Sequence, residues 1–233
     1  MVTEKARSLI AAGQKDSFFV MDLQSVRDRV SQWKSLLPQV EIFYSFKTNS
    51  DPEIIKTMLE QQSNFDCASK EEIRTAIGLG VNPKNIIYAN PCKMDEHLEF
   101  ARDNGVNLMT FDCAEEAENI AEIHPNAELI LRITVDDINA PDPMSEKFGA
   151  HEDYWSNILD TCKNLGLRVR GVSFHVGSGG CSFVSYRESI LNAKKVFEMA
   201  EQKGMQDMDI LDIGGGFSMS SEHPENNFDV VAP

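Results

Sequence analysis

Lys47 closes the run Ile42-Phe43-Tyr44-Ser45-Phe46-Lys47-Thr48-Asn49, an apolar and aromatic-rich stretch with one cation at its end. A strand buried on both faces reads as a continuous apolar run, so a lysine inside one has little structural use. At the strand's C-terminal mouth it can reach a pocket, where burial would lower its pKa toward the neutral amine that attacks a carbonyl. A lysine snorkelling from a strand end explains the same residue without chemistry. The residues further along the chain decide between the two.

Ser173-Phe174-His175-Val176-Gly177-Ser178-Gly179-Gly180 places a histidine at a strand end, then a Gly/Ser turn. Such a turn lets backbone N–H groups and a hydroxyl converge on an anion; it equally suits a tight turn beside a core histidine. Leu211-Asp212-Ile213-Gly214-Gly215-Gly216-Phe217 carries three consecutive glycines after another strand. Their conformational cost is justified where backbone must approach a ligand closely. The spacing is not G-x-G-x-x-G, which excludes a Rossmann dinucleotide site. Asp66, in Phe65-Asp66-Cys67-Ala68-Ser69, and Arg132, in Leu129-Ile130-Leu131-Arg132-Ile133, are charges within apolar strands and require partners. Lys47 is a candidate partner for Asp66. Glu72 follows Ser69 by three residues and reads first as half of a capping box. A nucleophilic lysine, an anion nest and a histidine able to lie on a ring are the parts that hold pyridoxal phosphate.

These residues need a scaffold that brings strand ends together. Short apolar runs at 42–46, 65–68, 85–88, 108–111, 129–135, 169–176 and 208–213 read as strands. Amphipathic segments at 52–61, 69–79, 94–104, 114–123, 154–165 and 186–203 separate them, most ending at Gly or before Pro. Repeated βα units imply a parallel sheet, and about seven readable strands favour an α/β (β/α)8-type TIM barrel over an open doubly wound sheet. Residues 18–22 read as an extra strand ahead of the barrel. Residues 135–148, rich in Asn, Asp and Pro, read as a long loop on the catalytic face or a partner contact.

Composition narrows the class. The 233 residues carry a formal net charge of −15, which argues against nucleic acid or an anionic membrane as partner. Residues 1–13 lack the apolar core of a signal peptide, and the five dispersed cysteines suggest neither a disulfide framework nor zinc. A cytoplasmic protein with free thiols and no metal is expected.

The motifs around these residues resemble the eukaryotic ornithine decarboxylases, of the alanine-racemase-like, barrel-type class of pyridoxal-phosphate enzymes (group IV decarboxylases). The likeness runs from about residue 18 to 217. It rests on Phe65-Asp66-Cys67-Ala68-Ser69-Lys70, Ile87-Tyr88-Ala89-Asn90-Pro91-Cys92-Lys93, Met109-Thr110-Phe111-Asp112, Lys147-Phe148-Gly149-Ala150, Gly171-Val172-Ser173-Phe174-His175-Val176-Gly177-Ser178-Gly179 and the glycine run. The resemblance implies decarboxylation of L-ornithine to putrescine, in polyamine biosynthesis, with pyridoxal 5'-phosphate. It implies Lys47 as the Schiff-base lysine, His175 stacked on the pyridine ring and Arg132 at the cofactor's phenolic oxygen. Ser178, Gly214, Gly215 and Gly216 would bind the phosphate, with Asp66 and Glu72 near the lysine. The family usually has Ala-Val-Lys-Cys-Asn where this chain has Ser45-Phe46-Lys47-Thr48-Asn49, which suggests a repacked barrel interior at Phe46.

Family members continue into an eighth strand bearing Glu-Pro-Gly-Arg, then a β-domain, with the site completed across a homodimer. Residues 222–233 are too polar and short for a strand and helix. The expectation is a lead-in segment over 1–40 and an incomplete barrel over 41–233, the β-domain absent. Alone, these 233 residues would be inactive and aggregation-prone or only partly folded. Arginine or diaminopimelate decarboxylase, and an antizyme-inhibitor-like regulator without catalysis, are the alternatives. Retention of Lys47, Asp66, Arg132 and His175 argues against the regulator. The acidic set Asp95, Glu96, Glu99, Asp103, Glu115, Glu116 and Glu118, where the animal enzymes present basic residues, argues against antizyme binding.

Overall fold

A computed structural model describes residues 2–135, 147–177 and 183–217. Two helices, α1 (Val2–Ala11) and α2 (Leu23–Leu36), lead in. Strand and helix then alternate through β1 (Phe43–Ser45), α3 (Pro52–Glu60), β2 (Asn64–Cys67), α4 (Lys70–Gly78), β3 (Ile86–Tyr88), α5 (Asp95–Asp103), β4 (Leu108–Phe111), α6 (Ala114–Ile123), β5 (Glu128–Arg132), α7 (Glu152–Asn164), β6 (Arg168–Ser173), α8 (Phe183–Gln202) and β7 (Ile210–Asp212). The seven strands form one sheet in strict sequence order, every pair parallel. This is the α/β barrel architecture expected from the alternation, with β1 and β7 at the edges among the described residues.

Register sorts the side chains into two faces. Cys67, Tyr88, Met109, Leu129 and Val169 stand side by side on β2 to β6. They are buried in one cluster with helix residues that include Ile55, Ile73, Leu98, Ile120 and Leu159. Alternation places the intervening residues on the opposite, concave face. Ile87 and Ile130 are buried there, outside that cluster. Toward the C-terminal ends the concave face turns polar, with Ser45, Asp66, Thr110, Arg132, Ser173 and Asp212.

Capping chemistry sets the helix starts. Asp51 accepts from Glu53 N–H at 2.9 Å, with Pro52 in the first turn. Ser69 accepts from Glu72 N–H at 3.2 Å, as in the expected capping box, while the Glu72 carboxylate reaches one residue further back and accepts from Ala68 N–H.

Several expectations are corrected. Residues 18–22 form no strand: Phe19 is fully exposed, and Asp22 instead caps α2 by accepting from Gln24 N–H at 3.0 Å. A β-prone run without a sheet edge beside it has nothing to pair with. The helices of the lead-in, α1 and α2, are not among the predicted elements. β5 ends at Arg132, and the next residue, Ile133, makes an isolated parallel bridge to Ala150 of the returning chain. β6 ends at Ser173, with Phe174, His175 and Val176 beyond it. Phe46 does not repack the barrel interior. It belongs to the helix-facing cluster, its ring edge-on to Phe65 at 5.8 Å, because Ser45 and Lys47 take the opposite face. The interior of the expected 135–148 loop lies outside the described residues.

Candidate functional site

The sequence-predicted site residues converge on the C-terminal mouth of the sheet. Lys47 lies two residues beyond β1, Asp66 on β2, Glu72 in the first turn of α4 and Arg132 at the last position of β5. His175 follows β6, and Gly214, Gly215 and Gly216 follow β7. Ser178 lies outside the described residues. One expectation changes: Lys47 sits at the strand mouth but is exposed, not buried in a pocket. The chain turns immediately after Ser45, whose carbonyl accepts from Thr48 N–H at 3.1 Å, and this lifts the lysine onto the rim.

Asp66 is the electrostatic centre of the near side. It pairs in register with Ser45. Burial pushes its pKa up to about 6; Asp212 and Glu72 push the same way, while Lys47 and a hydrogen bond from Ser45 oppose them. Across the mouth, Arg132, Ser173 and Asp212 occupy one register row on β5, β6 and β7. Burial also raises the Asp212 carboxyl, opposed by its bond from Gly214 N–H at 2.8 Å and by the Arg132 charge. Two inward carboxylates with raised pKa values beside a lysine and an arginine form a charge-dense, partly desolvated cup, a pattern that functional sites often show.

The glycine turn is shaped by contact. Gly214 has φ +68°, and a Cβ there would stand 2.3 Å from the Phe174 carbonyl oxygen. A Cβ on Gly215 would stand 3.4 Å from His175 Nε2, so this backbone lies directly against the imidazole. His175 Nδ1 accepts from Gly177 N–H at 2.9 Å, which assigns the hydrogen of a neutral ring to Nε2. Arg132 stacks over the Phe148 ring at 5.0 Å. The Phe148 segment is pinned by Asp112, which accepts from Gly149 N–H at 2.8 Å.

Sequence reasoning passes over Asp212, although it is a carboxylate in an apolar strand just before a glycine turn, the signal already used for Asp66. Ser45, Ser173 and Asp112 carry no comparable signal. Their place follows from register and from a contact between segments distant in sequence. The structure also removes Glu116 from the acidic surface: it is buried, 2.7 Å from Lys93 Nζ. Lys93 further donates to the Thr110 carbonyl at 2.8 Å.

The family described as pyridoxal-dependent decarboxylase, pyridoxal binding domain, matches residues 23–232. The ornithine decarboxylase of Schizosaccharomyces pombe is 44% identical over 206 residues, covering 88% of this chain and 48% of that protein. Antizyme inhibitor 2 of Xenopus laevis is 43% identical, covering 94% of this chain and 47% of that protein. The crystal structure of the Paramecium bursaria Chlorella virus arginine decarboxylase bound to agmatine superposes with a TM-score of 0.91 at 41% identity, covering 94% of this chain and 60% of that one. The chain spans about half the length of the curated relatives it matches.

Proposed function

We propose that this chain, which belongs to the pyridoxal-binding-domain family of pyridoxal-dependent decarboxylases, carries the cofactor-binding half of an enzyme converting L-ornithine to putrescine. The observation that carries the reading is the shared mouth formed by Lys47, Asp66, His175 and the glycine turn on four different strand ends.

The residues present fit the cofactor. A phosphate needs backbone approach without side chains; a Cβ on Gly214 would collide with the Phe174 carbonyl, and Gly215 brings bare backbone to within contact of His175. A flat ring needs a flat support, and the His175 imidazole lies beside that turn. Lys47 would join the cofactor covalently. Its exposure leaves the amine accessible, and Asp66 holds opposite charge nearby, with Glu72 next to Asp66. Arg132 would contact the phenolic oxygen, and Ser178 would add a hydroxyl to the phosphate site. When bound, pyridoxal phosphate supplies the electron sink for loss of carbon dioxide. The chain's part is to orient the ring and to set the charge around it.

A lead-in over 1–40, a barrel over 41–233, a homodimer, a cytoplasmic location and a place in polyamine synthesis are parts of the same proposal. Among the described residues no helix is long and apolar enough to cross a membrane. Likeness to an antizyme inhibitor raises a second reading, a regulator without turnover; the presence of Lys47, Asp66, Arg132 and His175 together favours the enzyme. The test is carbon dioxide release from ornithine, arginine, lysine and diaminopimelate by the full coding frame that carries this chain. Release from ornithine above the others supports the proposal. Preference for another substrate corrects the specificity, and no release by a protein loaded with cofactor points to the regulator.

A further inference from the structure

Tyr186 lies in the first turns of α8, away from every motif used above, and is buried. Its hydroxyl donates to the Gly215 carbonyl at 2.9 Å. Its ring stacks on Phe217 with centroids 5.1 Å apart and planes 13° from parallel, and meets Phe174 edge-on at 6.4 Å. Phe217 in turn takes the edge of Trp33 from α2 at 5.1 Å. The glycine turn is thus held from behind by aromatic rings on two helices and on the segment after β7.

A peptide unit is planar and trans, so its C=O and the following N–H point in opposite directions. Anchoring the Gly215 carbonyl to α8 therefore turns the Gly216 N–H away from α8. The neighbouring Gly214 N–H is already committed to Asp212 at 2.8 Å. An isolated triple glycine would sample many orientations of these donors; the tyrosine hydroxyl selects one.

We propose that Tyr186 is a positioning residue for phosphate recognition: by clamping the Gly215 carbonyl it presents the Gly216 N–H to the cofactor's phosphate. This rests on the assignment of the glycine turn as the phosphate site. Loss of one hydrogen bond to an otherwise unchanged ring predicts a modest effect confined to the phosphate.

The experiment compares dissociation constants for pyridoxal 5'-phosphate and for pyridoxal, which lacks the phosphate, in the wild type, Tyr186→Phe and Gly215→Val. Melting of each apo protein is followed by tryptophan fluorescence. Tyr186→Phe is expected to weaken pyridoxal phosphate about three- to tenfold, leave pyridoxal within about twofold and barely move the melting temperature. Gly215→Val is expected to abolish most of the wild-type preference for the phosphorylated form. If Gly215→Val collapses that preference while Tyr186→Phe preserves it, the tyrosine's role is refuted and the phosphate site stands. If Gly215→Val leaves the preference intact, the phosphate site is misassigned and the tyrosine's role falls with it. If Tyr186→Phe weakens both ligands equally and lowers the melting temperature, the hydroxyl is merely structural and the inference is wrong.

Discussion

Asp66 on β2 feels the charge of Asp212 on β7, although β3, β4, β5 and β6 lie between their strands in the sheet. A flat sheet would hold them far beyond screening distance. Their interaction is the direct consequence of curvature: the sheet rolls until its second and seventh strands face each other across the mouth. The cup receives both carboxylates on the concave side because each shares the parity of the inward rows.

Burial, reinforced by the Asp212 charge, makes an ionised Asp66 costly in the apo protein. Its folded pKa of about 6 lies above the ordinary aspartate value near 4, so the folded state binds the proton more tightly than the unfolded chain. The sign follows: stability from this group is fully present below the unfolded value and declines as pH rises through about 4 to about 6. Asp66→Asn keeps the shape and removes the charge. The variant should be more stable than wild type at pH 7 by on the order of 2 kcal/mol, with little difference at pH 4. Urea denaturation of the apo forms at both pH values measures this, and an equal difference at the two would contradict it.

Lys47 offers the opposite pattern. It is exposed, so Lys47→Ala should change apo stability by less than about 0.5 kcal/mol. Covalent retention of cofactor after borohydride reduction should be lost altogether, as read by mass spectrometry of the intact protein. Retained label at wild-type stoichiometry would move the assignment to another lysine.

Gly214 and Gly215 are adjacent but should respond differently. Gly214→Ala forces a Cβ to 2.3 Å from a carbonyl oxygen at a left-handed backbone position, so it should destabilise the apo protein by about 1–3 kcal/mol. Gly215 meets only the edge of contact range at His175. Gly215→Val should raise the pyridoxal phosphate dissociation constant much more than it lowers apo melting temperature. Matching losses of stability and affinity in both variants would count against this division.

Lys93 and Glu116 form a buried ion pair, with burial holding the lysine's pKa below its ordinary value and Glu116 opposing that shift. Lys93→Met strands the carboxylate and should cost about 3–5 kcal/mol. Lys93→Met combined with Glu116→Leu should recover most of that loss, since no charge remains to be paired. A double variant as unstable as the single one would show that the lysine acts through its bonds to the Thr110 and Asn90 carbonyls.

The chain's order of strands and helices was legible because each element carries a local signature. Caps such as Ser69 with Glu72, and stops such as Gly105 and Gly166, act within a few residues. The candidate residues Lys47, Asp66, Arg132 and His175 stand out in the sequence because a charge or histidine in or beside an apolar strand violates a local pattern. What sequence reading lacked was non-local. Residues 18–22 have β-prone composition, but strand formation needs a pairing neighbour, and among the described residues no strand pairs with them. Lys47 lies at the strand's C-terminal mouth, as its place in the sequence implies, yet the turn after Ser45 leaves it exposed on the rim and not buried in a pocket. The row of Arg132, Ser173 and Asp212 depends on an irregularity between Leu129 and Ile130 that shifts the β5–β6 register. The tyrosine behind the glycine turn depends on α8 packing against the segment beyond β7. Periodicity, capping and chain punctuation are properties of neighbours in sequence, and the amino-acid order alone determined them. Curvature, register and the meeting of Asp66 with Asp212 arise from contacts between distant segments, so only the tertiary structure decided them.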